Sequence, residues 1–167
     1  MRSGAWTAAW VMAGLVGGQA AWAQAPSPSP RMGLAPGTPA PVVSVQGLMS
    51  ANAAALEYAP GAPTVLLFFL SSCPHCKQVI PHWNRAYEKR GAGVKIVGVM
   101  LDRAPRTFFD LVPISFPVVY AADPREGGRA FRISMVPMTV RVDAARVVEA
   151  VEVGDVTDER LAQIFGK

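Results

Sequence analysis

The stretch Thr64-Val65-Leu66-Leu67-Phe68-Phe69-Leu70 is apolar at every position after the threonine, and it stops at Ser71-Ser72-Cys73-Pro74-His75-Cys76. A run without alternation, bounded by Pro63 on one side and a serine pair on the other, fits a central strand covered on both faces. Such a strand demands a layered fold, with helices above and below a sheet. The chain can supply one: 167 residues, 51% of them apolar, give a single domain with a real core and too little for two.

Periodicity places the other elements. From Cys76 to Arg90 the apolar residues Val79, Ile80, Trp83, Ala86 and Tyr87 recur at helical spacing, while Lys77, Asn84, Arg85 and Glu88 face away. Lys89 and Arg90 complement the negative end of that helix, and Gly91 can stop it. Val94 to Leu101 reads as a second buried strand and Pro105 to Leu111 as a short helix opened by proline. Val42 to Val45 and Pro117 to Ala121 suit short strands, with an Ala-rich stretch up to Leu56 after the first and one or two helical turns over Glu126 to Phe131 after the second. Thr139 to Val142 and Val147 to Val153 alternate and predict an antiparallel hairpin. Thr157 caps a last helix, with Asp158 and Glu159 in its first turn and Leu161, Ile164 and Phe165 on its inner face. The order predicts an α/β fold, a central mixed β-sheet flanked by helices.

The N-terminus has a different character. Arg2 precedes an apolar run from Ala5 to Val16, and Ala21-Trp22-Ala23 supplies the small-x-small pattern of a cleavage site, so residues 1–23 read as a signal peptide. The run is shorter than the ~20 residues a membrane span needs, and glycines dilute it; an uncleaved anchor is the alternative. Residues 24–41 hold six prolines and little to bury, which predicts a disordered linker and a folded domain over 42–167. The formal net charge is +4, yet no run of Lys or Arg exceeds two residues, so nothing predicts a nucleic-acid stripe.

Export changes how the two cysteines read. A structural disulfide framework uses more cysteines at wider separation, because short loops constrain the unfolded chain least. Cys73 and Cys76 instead sit where the central strand gives way to a helix. Pro74 fits the first helical position, which makes Cys73 the N-cap and aims unpaired N–H groups and the positive end of the helix dipole at its sulfur. Both favour the thiolate, the form that attacks disulfides, and Cys76 one turn later can displace a mixed disulfide. His75, between the sulfurs, is a candidate to stabilise that thiolate. Zinc would want four ligands, and only His75 and His82 add imidazoles, the latter turned about 120° from Cys76.

From about Val42 onward the chain resembles the thioredoxin superfamily. The cysteine pair after a buried strand, Pro81 five residues past Cys76, and Val136-Pro137-Met138-Thr139 carry the resemblance. It implies a cis bond before Pro137, with the Val136 backbone set to pair with a substrate strand. Cys73 lies 64 positions before Pro137, which leaves no room for the helical insertion of DsbA-like oxidases, although the dipeptide Pro-His is theirs. The length, and Phe116-Pro117-Val118-Val119, look like the TlpA/ResA and cytochrome-c-maturation reductases. Three features depart from the pattern: no Trp precedes Cys73, Leu67 stands where a buried acid or Asn is usual, and the hairpin turn is Asp143-Ala144-Ala145-Arg146.

The resemblance implies a periplasmic, monomeric thiol–disulfide oxidoreductase in which Cys73 attacks and Cys76 resolves. It implies no cofactor and no metal, protein thiols and disulfides as substrates, and a membrane redox partner. A TlpA-like reductant is the expectation. A DsbA-like oxidase or isomerase is the nearest rival, and a thiol-based copper-binding or delivery protein is a rival of another class.

Overall fold

The computed structural model describes residues 32–166. The expected signal peptide, and the linker up to residue 31, lie outside the described residues. Seven strands form one mixed sheet: β1 (Ser44–Gly47), β2 (Ala53–Ala55), β3 (Thr64–Phe69), β4 (Lys95–Met100), β5 (Val118–Ala121), β6 (Met138–Val142) and β7 (Val148–Val153). Four helices accompany them: α1 (Pro74–Glu88), α2 (Arg106–Leu111), α3 (Pro124–Ala130) and α4 (Asp158–Phe165). The strand order is β2-β1-β5-β4-β3-β6-β7, with β3 parallel to β4 and antiparallel to β6.

All six residues of β3 are buried. Its side chains alternate between faces, as a pleated strand requires. Val65, Leu67 and Phe69 join Val79, Ile80 and Trp83 of α1 and Leu161, Ile164 and Phe165 of α4. Leu66 and Phe68 point the other way, into a second cluster with Phe131, Val140 and Val148. On the α1 face, Phe69, Trp83 and Phe116 meet edge to face at 6.1–6.4 Å between ring centroids. Gly98 of β4 makes that possible, because a Cβ there would lie 2.7 Å from the Phe116 ring.

Several boundaries differ from the sequence reading. The first strand runs over Ser44–Gly47 in place of Val42–Val45, and the Ala-rich stretch contributes β2. α1 begins at Pro74 and is capped at Lys89, so it ends before Gly91, whose N–H bonds to the Phe165 carbonyl. Asn84 does not face away: its amide donates to the Pro113 carbonyl (2.8 Å) and accepts from Ser115 N–H (2.9 Å), pinning the loop before β5 to α1. Pro105 is the N-cap of α2, not its first helical residue. α3 starts earlier than expected because Asp123 caps it and Pro124 opens it.

The altered hairpin turn works by a different arrangement. The Asp143 carboxylate accepts from Ala145 and Val147 N–H, and Arg146 takes a positive φ of 65°, a conformation that usually favours glycine.

The expected disordered linker is corrected from Met32 onward. Leu34 and Ala40 are buried, and Gly37, Thr38 and Ala40 exchange backbone hydrogen bonds with Arg146 and Val148. Composition gave the wrong answer here because two apolar side chains among prolines suffice when a strand edge takes up the backbone groups. Leu34→Ala should therefore cost about 2–4 kcal/mol in urea denaturation of residues 32–167. A loss below about 0.5 kcal/mol would mean the segment is a spacer after all.

Candidate active site

The register of the sheet brings three chain segments to one edge. β3 ends at Phe69, its parallel neighbour β4 ends alongside at Met100, and antiparallel β6 begins beside it, with Met138 opposite Phe68. The loop Leu70–Cys73, the residues after Met100, and Val136-Pro137 therefore share the end of the sheet from which α1 departs.

Cys73 is the N-cap of α1, with extended backbone angles (φ −84°, ψ 113°), and its sulfur accepts the Cys76 N–H at 3.2 Å. That bond strengthens when the sulfur is a thiolate, because a charged acceptor roughly doubles it. Pro74 follows at the first helical position, where its missing N–H costs nothing. Cys73 is half-buried and Cys76 fully buried, packed among Leu67, Phe69 and Val79. Both are free thiols. Burial, then the hydrogen bond its S–H gives to the Cys73 sulfur, pushes the Cys76 thiol up to about 12.

The Val136–Pro137 bond is cis, as the resemblance implied. Pro137 is buried, and its carbonyl accepts from Gly154 N–H at 2.8 Å. Val136 is half-buried against the α1 cluster, as is Cys73, and its backbone makes no hydrogen bond within the described residues. A backbone left unpaired there can take an added strand.

His75 pairs with a carboxylate in the loop after β7. Its Nε2 lies 3.1 Å from Asp155 Oδ1, with the imidazole half-buried and the carboxylate largely exposed. His82, weighed as a metal ligand, instead bonds Asp158 at 2.7 Å in a cluster with Arg85, where His82 first and Arg85 second lower the Asp158 carboxyl. Leu67 is fully buried beneath α1 with Cys76. The buried polar side chains among the described residues are Thr64, Ser71 and Thr139, none of them a carboxylate. Thr139, opposite Leu67 in the register, accepts the Trp83 indole N–H at 3.2 Å.

Sequence reasoning missed Asp102. Its carboxylate accepts from Ser71 N–H (2.8 Å), Ser71 Oγ (2.8 Å), Ser72 N–H (3.2 Å) and Ser72 Oγ (3.3 Å). The clue was the parallel pair: once Phe69 is set beside Met100, residues two further along each chain are neighbours. Asp155 was missed as well, and no periodicity could have matched it to His75.

A half-exposed sulfur at a helix N-terminus, backed by a buried partner, can trade a dithiol for a disulfide. The enzyme is a thiol–disulfide oxidoreductase with a thioredoxin-like fold. The chain belongs to the AhpC/TSA family, whose pattern matches residues 36–151. Thioredoxin-like protein YneN of Bacillus subtilis (strain 168) is 24% identical over 138 residues, 79% of this chain and 79% of that protein. The structure of StoA from Bacillus subtilis has a TM-score of 0.61 at 23% identity, covering 77% of this chain and 98% of that one. A Chlorobium tepidum structure, provisionally assigned as thiol:disulfide interchange protein DsbE, gives 0.62 at 25% identity over 78% and 93%.

The raised Cys76 thiol links redox state to alkaline stability. The folded reduced protein holds the Cys76 proton more tightly than the unfolded chain does, so this stability is fully present below about pH 9 and lost as pH rises toward 12. Reduced wild type should lose stability relative to reduced Cys76→Ser between pH 9 and 11, by up to about 1.4 kcal/mol per pH unit. Parallel urea-denaturation curves for the two proteins would show the Cys76 thiol to be unperturbed.

Proposed function

We propose that this chain is an exported reductant of protein disulfides, with Cys73 as the attacking thiolate and Cys76 as the resolving thiol. The observation that carries the reading is the asymmetry of the pair. One sulfur is reachable and accepts a helix N–H, while the other is sealed under α1 and held as a thiol.

The Cys73 thiolate attacks one sulfur of a substrate disulfide. A mixed disulfide forms, the substrate's own bond breaks, and its first thiolate leaves. Cys76 then gives up its proton and attacks the Cys73 sulfur. The Cys73–Cys76 disulfide forms, and the second substrate thiolate leaves to take up a proton. Two electrons have passed from the pair to the substrate, and no cofactor takes part.

With Leu67 in place of an acid, the Cys76 proton leaves to water or to the departing substrate thiolate. The backbone of Val136 pairs with the extended substrate strand, beside Pro137. Residues 1–23 direct the chain to the periplasm or an equivalent space, where a membrane redox partner returns the pair to the dithiol. The short path from Cys73 to Pro137, which after α1 carries two strands and two short helices and no inserted helical domain, supports the reductant over the DsbA-like oxidase.

Cys76→Ser tests the assignment, since it removes the resolving step alone. Incubated with a disulfide-bonded protein, this variant should accumulate a mixed disulfide through Cys73, visible by mass spectrometry and absent from Cys73→Ser. Equal trapping by both single variants would remove the assigned roles.

A further inference from the structure

The four donors gathered on Asp102 belong to the two residues immediately before Cys73, and nothing in the proposed exchange uses them. Ser71 is buried, Ser72 exposed, and the carboxylate between them is half-buried at the edge of the sheet. Through Ser71 and Ser72 the carboxylate ties the loop that delivers Cys73 to the end of β4. β4 is itself anchored, since Leu101 N–H donates to the Phe69 carbonyl at 3.0 Å.

The charge of Asp102 is not cancelled by a cation. Among the described residues no Lys, Arg or His forms an ion pair with it. Its neighbour Arg103 turns away, bonding Gln46 and lying 4.6 Å over the Tyr120 ring. The other charges near the loop are Lys77, which lines a shallow cleft with Ser71 and Ser72, and the His75–Asp155 pair. An anionic carboxylate one residue from a sulfur opposes a second negative charge there, and half-burial weakens the screening.

We propose that Asp102 is a positioning residue: it fixes the Ser71-Ser72 approach to Cys73, and its uncancelled charge disfavours the Cys73 thiolate. This rests on the reading of Cys73 as the attacking sulfur. Destabilising the thiolate destabilises the reduced protein, so the dithiol gives up its electrons more readily. Asp102 thereby biases the enzyme toward reduction, at some expense in attack rate.

Two variants separate the charge from the tether. Asp102→Asn keeps an acceptor oxygen for the Ser71 N–H and removes the charge. The double variant Ser71→Ala, Ser72→Ala keeps the charge and removes two of its four donors. Both are made on the full chain in a Cys76→Ser background, and Cys73 alkylation by iodoacetamide, a neutral reagent, is timed at pH 7. Asp102→Asn should react at least three-fold faster, and the serine double variant about two-fold slower. In the two-cysteine protein, the equilibrium with glutathione should move the same way, Asp102→Asn favouring the dithiol at least three-fold.

Changes of the same sign in both variants would reveal a tether without a charge effect and overturn the inference. So would an unchanged rate in Asp102→Asn or, should that variant fail to fold, an unchanged or faster rate in the serine pair. Cys73→Ser serves as the control: if it keeps exchange activity, the attacking-sulfur reading fails, and if it loses activity while Asp102→Asn is silent, only the role of Asp102 fails.

Discussion

The reactive end of the molecule depends on how β3 is held. It is buried on both faces, parallel to β4 and antiparallel to β6, and a slip of one position in register would drive Leu67 and Phe68 into each other's clusters, which are packed around side chains of different shape. Because that register is fixed, three chain segments end at the same level. One delivers Cys73 as a helix cap, another places Asp102 beside the preceding serines, and the third sets Val136 with its backbone unpaired. A slip of β3 would separate these groups before it broke any one of them.

The two sulfurs then differ for local reasons. Cys73 lies at the first turn of α1, where the N–H of Cys76 has no helical carbonyl to bond and turns to the sulfur instead. Cys76 is carried one turn along the inner face and sealed against Leu67 and Phe69, where its charged form is costly. A carboxylate, Asp102, holds the loop just before Cys73, while Asp155 pairs with the imidazole of His75. Negative charge near an attacking sulfur works against an oxidant, which needs a stable reduced form. It is compatible with a donor of electrons.

Much of this was legible from the residues. The unbroken run in β3, the helical spacing of Val79, Ile80 and Trp83, and Thr157 ahead of Leu161 and Ile164 each report burial through a period, and periods survive in one dimension. The cap made by Cys73 and Pro74 was legible because it is local. What escaped was pairing between distant segments. Nothing near Asp102 in sequence points to Ser71, and nothing near His75 points to Asp155. Residues 33–40 escaped for the opposite reason: their composition speaks of a spacer, while two buried side chains and the edge of the hairpin decide their state. The departure at Leu67 was seen correctly, and Thr139 is the polar group found across from it.

The reduction potential of the Cys73–Cys76 pair, measured on the folded protein by equilibration with glutathione at pH 7, tests the central claim most directly. The arrangement of the two sulfurs and Asp102 predicts a value near about −270 mV, the range of a donor. A value near about −120 mV would contradict it, since the pair would then accept electrons from substrate thiols and the enzyme would be an oxidase.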